Sequence, residues 1–188
     1  MTRKFVTTLA LAAAVALAPR TTAAQDGFTL TYMDLGATVG LGGLGSADLS
    51  FGGRLEKAIK QVPDLGDGII GIQAAVDYYS WSASGSFSGT RWENSVTYIP
   101  IGVTANYHFD LENNRIDPFL GLGLGYSIIS SDCSYSGAIN FDCDYADSSA
   151  LYFIGRAGIR YFLQRLALYA DLGAGAATLN VGAMFKIN

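Results

Sequence analysis

The chain has 188 residues and a net charge of −4, with 50% hydrophobic residues but only 15% charged ones, against a usual ~25% charged. That length suits one domain. The missing basic patch argues against nucleic acid as a partner, and beyond the first residues no apolar run reaches the ~18 needed for a spanning helix.

The chain opens with MTRK, then the apolar stretch FVTTLALAAAVALA, then PRTTAA. A basic start, an apolar middle and small residues at the end form an export signal. Cleavage is expected after Ala24, which leaves residues 25–188 as the mature domain. The alternative, a membrane anchor, is disfavoured because the stretch falls short of ~18 apolar residues.

Eight alternating segments follow. The first, residues 31–42, sets Met33, Leu35, Ala37, Val39 and Leu41 against Asp34, Gly36, Thr38 and Gly40. The second, 47–57, sets Leu49, Phe51 and Leu55 against Asp48, Ser50, Arg54 and Glu56. Residues 57–68, with Pro63 and a Gly-Asp-Gly end, read as a connection, or as a helical turn over 55–62. The third segment, 69–82, sets Ile70, Ile72, Val76 and Tyr78 against Gln73, Asp77, Tyr79 and Trp81, and the Ser/Gly-rich stretch after it reads as a loop.

Residues 96–130 give the clearest pattern. Ile99, Ile101, Val103, Ala105, Tyr107 and Phe109 alternate with Pro100, Gly102, Thr104, Asn106 and His108. After the turn DLENNR, Leu120, Leu122, Leu124, Tyr126 and Ile128 alternate with Phe119, Gly121, Gly123, Gly125 and Ser127. A period of two makes each arm a strand, and the polar turn makes the pair a hairpin. A second loop, 131–149, is followed by segments 150–163, 165–173 and 178–187.

In all of these the bulky aliphatic residues share one parity, and the small, polar and charged residues share the other. Strands of this length match the ~9–11 tilted residues that cross a bilayer. The expected fold is therefore an eight-stranded antiparallel up-and-down transmembrane β-barrel with its apolar side toward lipid. Tyr78, Tyr126 and Phe153 fall toward the external ends of the outward face, and Tyr107, Phe109, Tyr161 and Phe185 toward the periplasmic ends, as two aromatic girdles would. With both termini in the periplasm, the turns after segments two, four and six face the periplasm and the other four connections face outside.

The inward parity collects Asp34, Asp48, Arg54, Glu56, Asp77, Arg156, Arg160, Asp171 and Lys186. Five acids against four bases suit a self-neutralised interior that plugs the barrel. Cys133 and Cys143, the two cysteines of an exported chain, are expected to pair as a disulfide. GLGGLG at residues 40–45 matches the dinucleotide pattern but opens no helix, so it counts as a chance match. His108, the lone histidine, sits inward near the periplasmic rim in a structural role, with no serine or acid placed for catalysis at the outer rim. The loop acids Asp132, Asp142, Asp144 and Asp147 lack EF-hand spacing. Neither metal nor cofactor is expected, and no enzyme.

The chain closes NVGAMFKIN, with Asn180, Gly182, Phe185 and Ile187 at polar-x-Gly-x-x-hydrophobic-x-hydrophobic spacing and Asn188 after them. This resembles the C-terminal β-signal of outer-membrane barrels. With YIPIGVTANYHF and IDPFLGLGLGYSII, the chain resembles the small outer-membrane β-barrel family, the OmpA/OmpX-like and "porin family" barrel domains. The resemblance implies an outer-membrane location, outer-membrane lipid and the barrel assembly machinery as partners, and external loops 82–95 and 131–149 that meet a ligand the sequence does not identify. No peptidoglycan-binding domain follows the barrel in this sequence, so the anchoring role of two-domain relatives is not carried over. The alternatives are a narrow porin-like channel, a soluble lipocalin-like exported binder, and a lipid-modifying barrel enzyme that uses His108.

Overall fold

The computed structural model describes residues 27–87, 89–111, 113, 115–136 and 148–187. The alternating segments form eight strands, β1 (Met33–Leu41), β2 (Leu49–Val62), β3 (Gly68–Phe87), β4 (Thr90–His108), β5 (Ile116–Ser136), β6 (Ser148–Leu163), β7 (Leu166–Ala174) and β8 (Leu179–Lys186). Each pairs antiparallel with its neighbours in chain order, and β8 returns to β1, closing the sheet. Closure leaves no free edge along the seam, the usual solution for a sheet that must satisfy every backbone group internally.

The strands are strongly tilted. One row of register partners starts at Met33 at the bottom of β1 and runs through Lys57, Ile72, Ala105, Leu122 and Gly155 to Ala174, the last residue of β7. Such a climb around eight strands is the stagger that barrel closure requires.

The strands are also unequal. β3, β4 and β5 have 20, 19 and 21 residues, against 9, 8 and 9 for β7, β8 and β1. β2 pairs with β3 only as far as Tyr78, and β6 pairs with β5 only as far as Ile129, so the upper parts of β3–β5 stand as a three-stranded wall. The sequence reading of 82–95 as a loop is corrected here: residues 82–87 and 90–95 are paired strand, with Gly89 at the turn. The alternation was present but inverted. Above the barrel the outward parity is polar (Ser80, Ser82, Ser84, Thr97, Ser95, Ser130, Asp132), and the inward parity carries Tyr79, Trp81, Val96, Tyr98 and Ile129.

A second correction concerns residues 57–68. β2 runs on to Val62 with a register shift between Ala58 and Lys60, and a short 3-10 turn, Pro63–Leu65, completes the connection. The extra residue of a bulge breaks the period of two, so the pattern seemed to end early. Asp48 is a third correction, because it is exposed ahead of β2 instead of facing inward.

Candidate functional site in the barrel interior

Parity decides which side chains meet inside. Leu35, Phe51, Leu55, Val103, Leu122, Leu124, Leu151, Phe153, Leu168 and Leu172 are exposed on the outer surface, while Asp34, Arg54, Glu56, Asp77, Arg156, Arg160 and Asp171 are buried inside. Lys186 is half-buried at the rim, its Nζ 5.6 Å from the Tyr32 ring. The interior charges fall into two groups.

The lower group is centred on Glu56. Its carboxylate accepts hydrogen bonds from Gln73 Nε2 at 2.9 Å and Asn106 Nδ2 at 2.9 Å, and it pairs with Arg160 and with His108 Nε2, the latter at 2.8 Å. Arg160 Nη1 also reaches Asp34 Oδ2 at 2.9 Å, and the Tyr32 hydroxyl donates to the same oxygen at 2.9 Å. His108 Nδ1 lies 2.9 Å from both oxygens of Asp117. Around the guanidinium of Arg160 stand the rings of Phe28, Phe119, Tyr169 and Tyr32, at 5.4, 5.5, 5.8 and 6.0 Å. A fully buried arginine therefore has two carboxylates and four aromatic rings in place of water, the compensation that burial of a charge demands.

The upper group joins Arg54 Nη2 to Asp77 Oδ1 at 2.9 Å and Arg156 to Asp171. Asn180 Nδ2 donates to Asp171 Oδ1 at 2.9 Å, and the Tyr169 hydroxyl donates to Asp171. Arg156 Nη1 donates to the carbonyl of Ala177 at 2.5 Å, tying the β7–β8 turn to the interior. A hollow of only about 30 Å³ lies between these ion pairs.

Above this group the mouth on the short side is closed by Leu44 and Ala177, both buried against Tyr79. Leu44 is turned inward by Gly42, Gly43 and Gly45, whose φ angles of 71°, 72° and 64° lie in the left-handed region that glycine adopts without strain. The GLGGLG stretch is thus a tight inward tuck.

Of the C-terminal residues, Asn180 is buried on the interior face and Phe185 and Ile187 are exposed on the outer one. Gly182 faces Thr38 across the closing seam, where an added Cβ would lie 2.9 Å from Thr38 Cα and meet the carbonyl of Ala37. Cys133 lies on the inward face of upper β5; Cys143 and the expected leader, 1–24, fall outside the described residues.

Sequence reasoning missed Asp117, Tyr32 and Phe28. Asp117 stands two residues before the inward Phe119, so parity alone would have found it. Tyr32 falls within the segment 31–42 on the parity of Asp34, so parity would have found it as well, whereas Phe28 precedes that segment and no alternation reports on it.

In class, the chain is an eight-stranded up-and-down β-barrel with a charged, hydrogen-bonded interior and an aliphatic exterior. Solved structures similar to it include the N-terminal β-barrel domain of OprF from Pseudomonas aeruginosa, at 15% identity over 84% of this chain and 98% of that one, with a TM-score of 0.45. Ail, the attachment invasion locus protein of Yersinia pestis in complex with the heparin analogue sucrose octasulfate, is 12% identical over 82% and 93%, with a TM-score of 0.39. Neisserial surface protein A is 19% identical over 83% and 95%, with a TM-score of 0.41. No protein-family model and no curated protein matches the sequence.

Proposed function

We propose that this chain is an integral outer-membrane barrel without enzymatic activity, sealed by its interior charges, whose projecting wall and loops meet the surroundings or support the envelope. The observation that carries this is the outer surface. Its exposed aliphatic side chains ring the closed barrel, and exposure of that area to water would cost ~25 cal/mol per Å². Lipid removes the cost. The C-terminal pattern, read as a β-signal for the barrel assembly machinery, agrees with that destination, and the leader with export.

Two features favour a plug over a channel: in the lower group Glu56 on β2 pairs across non-adjacent strands with Arg160 on β6 and His108 on β4, and the hollow among the upper ion pairs has room for only a water or two. A lipocalin-like carrier needs an apolar cavity inside, and here the inside is ionic. The non-enzymatic reading rests on His108, whose ring nitrogens are both engaged by carboxylates.

Cell fractionation with heat-modifiable gel mobility tests the placement. The folded chain should stay with outer membranes through a high-salt wash and run differently once boiled; release by salt alone would refute it. Planar-bilayer recording tests the plug, since steady single-channel openings of the native chain would overturn it.

A further inference from the structure

At the turn end of the barrel, between the segment 27–30 and the turns that follow β2 and β4, lies a half-open hollow of about 430 Å³. This volume is in the range of small-molecule pockets. Its apolar lining includes Phe28, Ile69 and Ile116, and its polar lining includes Asp67, Asp110 and Asp117. Among the described residues that line it there is no lysine or arginine. Asp67 and Asp110 are exposed at the rim, while Asp117 is buried at the floor beside His108. Phe28 lies stacked on the His108 ring with centroids 3.5 Å apart, and it also lines the hollow.

We propose that this hollow binds a linear aliphatic amine. The rim carboxylates of Asp67 and Asp110 favour a cation, while Asp117 beneath them is already paired with His108 and the Phe28 ring is stacked on that imidazole. Isoleucine walls suit a methylene stem, which gains from leaving water. A carboxylate or phosphate ligand is disfavoured by the same acids. The site lies at the opposite end of the barrel from the projecting wall, and it depends neither on placement in a membrane nor on the sealed interior.

The test uses the folded full-length chain in a zwitterionic detergent, with n-hexylamine as probe and hexanol as the uncharged control, followed by backbone amide NMR. Hexylamine should bind saturably, one per chain, with shifts at Phe28, Ile69 and Ile116. The double variant Asp67→Asn with Asp110→Asn should weaken binding about tenfold or more, the scale of lost charge-assisted contacts, and added salt should weaken it in the native chain. Asn tolerates the left-handed backbone that Asp67 holds at φ 59°, so the variant should fold, and heat-modifiable mobility verifies that. Equal binding of hexanol, undiminished binding by the folded double variant, or shifts confined to lipid-facing strands would each overturn the proposal.

Discussion

His108 on β4 and Glu56 on β2 meet at 2.8 Å across the barrel, although β3 separates their strands. The other ring nitrogen of His108 faces Asp117, so two carboxylates bracket one imidazole. A neutral imidazole has one N–H to give. The arrangement therefore needs a second proton, on the ring or on a carboxylate, for both contacts to be hydrogen bonds.

Glu56 and Arg160 anchor the lower group, and their loss is expected to be costly. Arg160→Met should lower unfolding stability by about 3–5 kcal/mol, because it leaves Asp34 and Glu56 buried without their cation. Arg160→Met combined with Glu56→Gln should recover part of that loss. Urea unfolding in vesicles, followed by gel mobility, measures both; a cost below about 1 kcal/mol for the single variant would show that water reaches the group.

Arginine placed along β5 should report the depth of immersion. Leu122 is 75% exposed on the outer face, and Leu122→Arg is expected to cost about 2–4 kcal/mol, the value for the bilayer midplane. Ser134→Arg, on the same parity of the projecting wall, should cost close to nothing. Equal costs at the two positions would contradict the membrane placement.

Gly182→Ala should disturb the seam where β8 meets β1. The added methyl meets the Ala37 carbonyl and Thr38 Cα, so the strands must separate. Overpacking of this kind costs about 1–3 kcal/mol. The change should lower the midpoint of urea unfolding and slow refolding into vesicles; Gly155→Ala, at an outer position where an added Cβ would lie 3.8 Å from Leu122 Cδ2, serves as the control.

The cysteines are expected to be joined in the exported chain. Thiol-reactive reagents should label neither Cys133 nor Cys143 without prior reduction, and replacing both by serine should cost about 2–3 kcal/mol on the loop-entropy account. Labelling of the unreduced, folded chain would show that the pair is open.

The strand number, the pairing order and the sidedness were legible in the sequence because the aliphatic outer surface of a closed barrel and its filled polar interior place opposite side chains on alternate residues. Leu120 to Ile128 against Phe119 to Ser127 is enough to orient β5. The limits of that rule explain the misreadings. At Ile59 an inserted residue ends the period although the strand continues. Along 82–95 the two faces exchange character, so Ser82 and Ser84 resemble loop residues while they pair with Ser95 and Glu93. Nor does periodicity say which inward groups touch. That Glu56 collects donors from Gln73, Asn106, His108 and Arg160 depends on tilt and stagger, which bring residues of four strands to one level.

The exchange of character on β3, β4 and β5 happens at neighbouring places, just above Tyr78, Ile99 and Ile128, and it works like the painted line on a ship's hull. In the outer-membrane placement proposed above, a molecule riding too high would bare its leucines to water, and one riding too low would drown its serines in oil. Vertical position is therefore written into the wall itself, and a visitor from outside would always find the same height of polar rampart on the same flank.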